Sequence, residues 1–255
     1  MRRVWLAPLL VLLVGSVGLA ATRETAATEQ AQPVYYVRTT QKAMALTFDV
    51  SWGEIMLPKV LQILRQDGQH ATFFLSGPWA KTHGDLVRQI IAGGNEIASH
   101  GQAHVNLSDK SASGIVENIG AADAILHGYT HAPLHFFRPP NGDFDGRVVQ
   151  EARGLGYETV IWSIDSRDWM NPGVGTIVAR VTQRAFPGAI ILLHASDTCR
   201  QTDLALPIII QNLRAQGYRL TTLGELWRMG AAGRDDPRGS GRKPNQIPFS
   251  VSAAS

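Results

Sequence analysis

Ionisable side chains end several short apolar runs in this sequence. They are Asp49 after AMALTF, His100 after NEIAS, Arg138 after HFF, Asp165 after WSI and His194 after AIILL. A carboxylate can accept a proton, an imidazole can donate one or bind a metal, and a guanidinium can hold a carboxylate in place. A single residue of this kind would mark only where burial ends. Several kinds at successive strand ends favour a functional site, because the carboxyl ends of parallel strands converge on one face of a barrel.

Two of the candidate metal ligands, His100 and His104, are four residues apart in HGQAH. One turn of the chain can direct both imidazoles at the same metal ion. A pair alone is not a site, but this pair follows a predicted strand and so shares a face with Asp49 and His194. The sequence therefore favours a metal position beside Asp49 and His194.

A second set of histidines repeats this spacing at His127, His131 and His135. These residues run from the end of a predicted helix into the start of a strand. That position predicts the opposite, stabilising face of a barrel. We therefore do not expect a metal site there.

The run WSIDSRDW holds two carboxylates, Asp165 and Asp168. Paired carboxylates are typical of glycoside hydrolysis, but with Arg167 and Trp169 they fit an ion-paired aromatic wall equally well. Cys199 follows His194 in the next loop, and without a resolving partner we interpret it as an incidental thiol.

Apolar runs alternate with helical patterns, which predicts βα units around a parallel sheet. The seven candidate strands are Ala43 to Asp49, Ala71 to Leu75, Asn95 to Ser99, His135 to Arg138, Glu158 to Ile164, Ala189 to His194 and Arg219 to Thr222. Pro58 begins one helix that Gly68 ends, and Asp203 opens another. We predict an α/β fold, a distorted (β/α)7-8 barrel, with a doubly wound open sheet as the competing architecture.

The two ends of the chain differ in composition from its centre. Residues 1–21 have a basic start, an apolar stretch and small residues, which is the pattern of a signal peptide or, if uncleaved, an N-terminal anchor. Residues 22–36 read as a spacer, 37–229 as one catalytic domain and 230–255 as a flexible tail. We expect an exported protein that meets a membrane only through its first residues.

The charge balance limits the range of partners. The formal net charge of +3 includes Arg2 and Arg3, so loss of residues 1–21 would leave +1. A nearly neutral mature chain has no nucleic-acid footprint. Its one cysteine excludes an internal disulfide, which is compatible with a bacterial envelope.

Five motifs in order carry a resemblance to a known family. They are TFD at 47–49, HGQAH at 100–104, RPPNG at 138–142, DSRDW at 165–169 and LLH at 192–194. Over about residues 42–228 the sequence resembles the polysaccharide deacetylases, the NodB-homology or carbohydrate esterase family 4 enzymes. The runs TFDVSWGE, TFFLSGPWA and LLHASD look closest to the PdaB-like sporulation branch. The resemblance implies a barrel and metal-dependent removal of N-acetyl groups from an N-acetylglucosamine polysaccharide of the cell wall or spore cortex.

The resemblance also implies roles for the catalytic residues. Asp49 matches the catalytic base, Arg138 the group that holds it and His194 the general acid. His100 and His104 match the two metal imidazoles, with zinc as the candidate divalent metal.

The remaining site residues follow from the same resemblance. Trp169 and Leu192 would line the surround of the acetyl methyl, with Pro140 as a further substrate-binding residue. Asp165 is expected to bond His194 and tune it.

One position departs from the family pattern: Val50 stands where a second aspartate usually supplies the third metal ligand. Water or the nearby Asp197 could complete the shell of an active N-deacetylase. Alternatively, the barrel is catalytically degenerate and binds glycan or a partner during sporulation or wall assembly. An aspartate introduced at position 50 would tighten zinc binding if it reached the histidines, or destabilise the fold if apolar packing surrounded it.

Overall fold

The computed structural model describes residues 31–130 and 132–239; the predicted signal peptide lies outside them. These described residues form ten strands: β1 Tyr36–Arg38, β2 Ala43–Val50, β3 Thr72–Leu75, β4 Glu96–Ser99, β5 Phe136–Phe137, β6 Glu158–Thr159, β7 Ile164–Asp165, β8 Ile190–His194, β9 Arg219–Thr221 and β10 Ala231–Gly233. Six of the seven predicted strands agree with these to within one residue at each end. The exception is Glu158 to Ile164.

Strand order identifies the sheet as a barrel rather than a doubly wound sheet. The main sheet runs β6-β5-β4-β3-β2-β8-β7, and β9 pairs with the first half of β2. All of these pairings are parallel. Strands β2 to β6 lie side by side in chain order, and β7 and β8 follow, with β8 beside β2. This is the order of a barrel with one open seam, between β6 and β7. A doubly wound sheet would reverse its strand order at a switch point.

The seam explains why the predicted strand Glu158 to Ile164 was wrong as a single element. Its two ends, β6 and β7, lie on opposite edges of the sheet. Between them, the carbonyl oxygens of Val160 and Ile161 accept hydrogen bonds from the Arg138 guanidinium, at 3.4 and 3.0 Å. A buried cation therefore takes carbonyl groups that would otherwise extend a strand ladder.

Within the described residues, eight α-helices surround the sheet: α1 Met56–Gln66, α2 Gly77–Thr82, α3 Gly84–Ala92, α4 Ala112–Leu126, α5 Gly146–Gly154, α6 Val174–Thr182, α7 Thr202–Ala215 and α8 Leu223–Trp227. Short 3-10 turns cover Pro140–Gly142 and Asp168–Met170. In α1, Met56, Leu57, Val60, Leu61 and Leu64 are buried, so one apolar face of the helix packs on the sheet. Gly68 follows α1 with φ +59°, which confirms it as the end of that helix.

Both flanks of the predicted domain join the fold. Val34 bridges to Val160, and Tyr36 to Ala189, so the segment before β2 spans the seam. Residues 231–233, which the sequence assigns to the flexible tail, form β10 and pair antiparallel with β1. Within the described part of the chain, none of the helices has the length and apolar character needed to cross a bilayer.

Parallel register places the predicted catalytic residues together. Asp49 on β2 is paired with His194 on β8, and the next residue, Val50, with Leu75 on β3. Because neighbouring strands lie about 4.8 Å apart, Asp49 and His194 end adjacent strands at the same level.

Candidate active site

Asp49 and Arg138 form a buried ion pair beneath the pocket. Arg138 Nη1 donates to Asp49 Oδ1 at 2.7 Å, and Nη2 donates to Thr47 Oγ1 at 3.0 Å. The guanidinium has 0% exposure and lies 4.0 Å from the centre of the Phe74 ring. A buried charge with this many partners is held in one orientation, so Arg138 fixes Asp49 as the sequence predicts.

The surroundings of Asp49 keep it ionised. Burial alone would raise its pKa, but the Arg138 guanidinium, with His100 and His194, lowers the pKa below its ordinary value. With Oδ1 bonded to Arg138, Oδ2 is the oxygen nearer the pocket histidines. A carboxylate in this state can accept a proton.

His100 is fixed with its second ring nitrogen facing the base. Its Nδ1 lies 2.8 Å from the Arg138 carbonyl oxygen, which can only accept, so Nδ1 carries the proton. Its Nε2 is then an unprotonated nitrogen, 3.7 Å from Asp49 Oδ2. Burial lowers the pKa of His100 to about 4, so the ring is neutral near pH 7.

His104 approaches His100 from the same loop. The two ring centres are 5.5 Å apart at 70°. Burial also lowers the pKa of His104. The four-residue spacing therefore brings two neutral imidazoles together, which is the form that binds metal.

His194 is bonded to Asp168, and the expectation that Asp165 would be its partner was wrong. His194 Nδ1 lies 2.7 Å from Asp168 Oδ1, and Asp168 Oδ2 accepts from the His194 backbone N–H and from Thr202 Oγ1 at 2.7 and 2.8 Å. Asp168 is fully buried. Burial would lower the pKa of His194, but the charge and hydrogen bond of Asp168 outweigh it and raise the pKa above its ordinary value.

Asp165 lies at the pocket wall instead. Its Oδ1 accepts from the Arg167 backbone N–H at 2.8 Å. Arg167 has φ +55°, a left-handed turn that reverses the chain between the two aspartates and sends Asp168 inward. The two carboxylates are therefore in different environments.

Cys199 is a buried thiol beside this pair. Burial raises its pKa to about 12, so it is not a thiolate near neutral pH. Within the described ranges, Asp168, His194 and Cys199 are the group whose ligand atoms all lie within 4.8 Å of one another. However, two ligands on one tetrahedral zinc ion stand roughly 3.4 Å apart, and the 2.7 Å separation of His194 and Asp168 is that of a hydrogen bond. We interpret this cluster as an acid and its supporting carboxylate.

Val50 contributes apolar packing at the end of β2. It has 0% exposure and belongs to the main core with Leu75 and Phe48, whereas its neighbours Asp49 and Ser51 line the pocket. The Val50 side chain therefore points away from the pocket lining and supplies no metal ligand.

Asp197 does not fill the missing position either. Its carboxylate accepts three backbone N–H groups, from Glu54, Ile55 and Met56, at 2.8 to 3.0 Å. These are the unpaired donors at the start of α1, so Asp197 caps that helix from another loop. The expectation that Asp197 could complete a metal shell is not supported.

The residues that could hold a cation are His100, His104 and the free oxygen of Asp49. The 3.7 Å between His100 Nε2 and Asp49 Oδ2 is close to the ~3.4 Å between two ligands of a tetrahedral ion. Two neutral imidazoles and one carboxylate are a usual donor set for zinc. The two histidines therefore fit a divalent metal. The free oxygen of Asp49 lies beside them and can bind the ion or accept a proton from water, but not both at once.

A pocket of about 410 Å³ opens above these groups. Its lining includes the predicted residues Asp49, His100, His104, Asp165, Trp169, Leu192 and His194, together with Ser51, Trp52, Asn141, Trp162, Ser196, Thr198 and Cys199. Pro140 is buried at the start of the 3-10 turn, and its neighbour Asn141 takes the wall position. Gly142, at φ +65°, lets the Trp162 ring approach, because a Cβ there would overlap the indole.

The second histidine set stays away from this pocket. His127 is exposed at the end of α4, 3.1 Å from Asp123, and His135 packs edge-on against Phe136. His131 lies outside the described residues. Neither described histidine lines the pocket, in agreement with its predicted position on the other face.

Sequence reasoning missed three residues that matter here. Asp168 was considered only as half of a carboxylate pair, whereas Trp52 and Trp162 were not singled out. The signal for Asp168 was present in DSRDW, but its inward direction depends on the left-handed turn at Arg167. Trp52 lies two residues after the end of the strand that carries Asp49, and that position could have marked it.

Comparisons with known proteins identify the family of this chain. The polysaccharide deacetylase family model matches residues 36–160. The chain is 39% identical over 191 residues to a peptidoglycan-N-acetylglucosamine deacetylase of Bacillus cereus, which covers 74% of this chain and 89% of the relative. It is 32% identical over 202 residues to the peptidoglycan-N-acetylmuramic acid deacetylase PdaA of Bacillus subtilis, covering 78% and 76%.

The structural neighbours include an inactive member of the same group. A CE4 family pseudoenzyme from Bacillus anthracis superimposes with a TM-score of 0.72 and 31% identity, covering 76% of this chain and 68% of that one. A mutant of that protein with restored enzymatic activity matches equally well, with 32% identity over 76% and 70%. The fold and the site thus define a carbohydrate-esterase barrel. The chain belongs to the polysaccharide deacetylase family.

Proposed function

We propose that this protein removes N-acetyl groups from N-acetylglucosamine units of a bacterial cell-wall polysaccharide. The observation that carries the proposal is the pairing of Asp49 and His194 on adjacent strands, with Arg138 bonded to the first and Asp168 to the second. Asp49 is held as a carboxylate and His194 favours its protonated form, on adjacent strands at one pocket. Hydrolysis of an amide needs one base and one acid in these states.

The reaction follows from these two groups. Asp49 accepts a proton from water as the water oxygen bonds to the acetyl carbon. The π electrons of the acetyl C=O bond move onto the carbonyl oxygen and return when the next bond breaks. The C–N bond then breaks, and His194 donates its proton to the departing nitrogen, giving acetate and a free amine. Asp168 stabilises the charged imidazole, and Leu192 and Trp169 provide an apolar wall for the acetyl methyl.

We propose that His100 and His104 hold a divalent cation, with zinc the candidate. Such an ion would polarise the acetyl carbonyl and favour ionisation of water. The two neutral histidines support this assignment, and the Asp49 oxygen beside them stays free to act as the base.

Val50 favours a second candidate function. Without a carboxylate at position 50, the site has fewer anionic ligands for a metal. One of the structural neighbours, at 31% identity, is also a pseudoenzyme. The second candidate is a barrel that binds glycan or a partner without turnover.

Acetate release separates the two functions. The purified protein, with added zinc or with a chelator, should be incubated with chitotetraose and with isolated peptidoglycan while free acetate is measured. Zinc-dependent release supports the deacetylase. Binding of chitotetraose with no acetate in either condition would support the non-catalytic barrel.

The alkaline limit of activity should depend on Asp168. Because Asp168 raises the pKa of His194, the acid stays protonated to higher pH, and activity is lost as pH rises through that pKa. Asp168→Asn removes the charge while burial still lowers the pKa, so the alkaline limb should move to lower pH and kcat should fall by about 10²-fold or more. Asp165→Asn is the matched control. An equal shift in both pH-rate profiles would contradict the assignment of Asp168.

We also propose that the protein acts outside the cytoplasmic membrane, where cell-wall glycan is found. The basic and apolar start of the sequence supports export. Sequencing of the N-terminus from the native host should begin near residue 22, and an intact Met1 on a cytosolic protein would contradict export.

A further inference from the structure

Trp52 is a large aromatic side chain at the mouth of the pocket that the reaction above does not use. It is 43% exposed although it lines the pocket, and Trp169 is a second half-exposed indole in the same lining. Exposed tryptophan beside a pocket is unusual, because burial of its apolar surface is favourable. An indole in this position can take up a ligand surface at little cost.

The indole of Trp52 is held in a fixed orientation. Its Nε1 donates to Thr198 Oγ1 at 2.9 Å, on the loop that follows His194. Its ring meets the His104 ring edge-on, with centres 5.3 Å apart at 70°. Two contacts from different loops thus fix the ring plane while leaving part of it open to solvent.

The backbone that carries Trp52 is equally constrained. Gly53 has φ +82° and lies so close to the Asp197 carboxylate that a Cβ there would overlap it. Asp197 binds the next three backbone N–H groups, and Trp79 Nε1 donates to the Gly53 carbonyl at 2.7 Å. A ligand that packs on Trp52 would therefore order no loop, which favours affinity.

We propose that Trp52 is a stacking platform for a pyranose ring of the glycan chain, next to the sugar whose acetamido group enters the pocket. The C–H face of a pyranose is apolar and weakly positive, so it suits the negative face of an indole, while its hydroxyl groups stay in water. The inference rests on the proposed polysaccharide substrate and makes Trp52 a determinant of chain length. On this proposal, a single sugar in the pocket leaves the platform to be filled only by the next sugar of a longer chain.

The test compares a long and a short substrate. For Trp52→Ala, KM for chitotetraose should rise by about 10-fold with kcat within about twofold, because stacking is uniform binding made before and during the reaction. Hydrolysis of a small acetyl ester such as 4-nitrophenyl acetate should change by less than about twofold. Trp52→Phe should restore part of the affinity. Ile208→Ala, which removes an exposed apolar side chain on α7, is the matched control.

Two results would overturn the platform. One is an unchanged KM for chitotetraose in Trp52→Ala. The other is an equal loss of kcat/KM with the ester and with the tetrasaccharide in Trp52→Ala. That result would show that Trp52 acts only by supporting His104.

A binding measurement separates this inference from the proposed activity. Chitotetraose is titrated into wild type and Trp52→Ala by calorimetry. If wild type releases no acetate but binds the tetrasaccharide about 10-fold more tightly than Trp52→Ala, the deacetylase proposal fails and the platform stands. If wild type releases acetate and both proteins bind equally, the platform fails and the deacetylase stands. Absence of binding to wild type would overturn the platform.

Discussion

Replacing His194 with Ala or Asp49 with Asn is expected to reduce acetate release by about 10²-fold or more, because each change removes one proton-transfer step. His194→Ala leaves Asp168 bonded to Thr202 and to the backbone at residue 194. Asp49→Asn keeps an oxygen that can accept from Arg138 but cannot take a proton. Both variants should bind chitotetraose with affinity near that of wild type, since stacking and wall contacts remain.

The stability of Asp49→Asn needs its own measurement. Breaking a buried ion pair by removing one partner costs about 3–5 kcal/mol, and the amide oxygen should keep this cost smaller. Thermal melts therefore accompany the assay, and the partly exposed His194 provides a variant that tests the mechanism without disturbing the ion pair.

His127→Ala is the matched histidine control. His127 is exposed at the other end of the barrel, and its ring lies 3.1 Å from the Asp123 carboxylate. We expect acetate release within about twofold of wild type, as for most surface substitutions away from a site. A loss comparable with that of His194→Ala would contradict the placement of the chemistry at the carboxyl ends of the strands.

Val50→Asp is expected to lower the free energy of unfolding by roughly 3–5 kcal/mol, the cost of an uncompensated buried charge. Val50 has 0% exposure and packs in the main core, so the structure favours destabilisation over tighter zinc binding. Val50→Ala is the control for lost packing alone and should cost about 2 kcal/mol.

Zinc titration of the same variants tests where the new carboxylate points. A ligand at 100 times its Kd stabilises a folded protein by about 2.7 kcal/mol. If the carboxylate stays in the core, zinc should raise the melting temperature of Val50→Asp no more than that of wild type. A larger rise in Val50→Asp would show that the side chain reaches His100 and His104.

The local patterns of the sequence predicted the elements of the fold well. Six strands were placed to within one residue, because buried parallel strands are short apolar runs with an abrupt polar end. The seventh run, Glu158 to Ile164, has the same pattern but is divided at the seam. The carbonyl groups of Val160 and Ile161 in this run accept hydrogen bonds from Arg138, which lies 22 residues before Val160. A local sequence pattern gives no sign of such a contact.

The sequence by itself determined which residues meet at the site. Asp49, His100, His104, Arg138 and His194 end or follow parallel strands, and the strand direction brings their side chains to one face whatever the loops do. This is why the contact of Asp49 with Arg138 and the closeness of the imidazole pair could be predicted from motif and position.

Only the tertiary structure decided how the supporting carboxylates are used. Asp165 and Asp168 are three residues apart, and a left-handed residue at Arg167 turns the second rather than the first beneath His194. Asp197 follows His194 by three residues and so was a candidate metal ligand. Its carboxylate instead accepts hydrogen bonds from three backbone N–H groups between β2 and the first turn of α1. The direction of a loop side chain depends on backbone dihedrals and on partners distant in sequence, whereas a strand fixes its side chains by alternation alone.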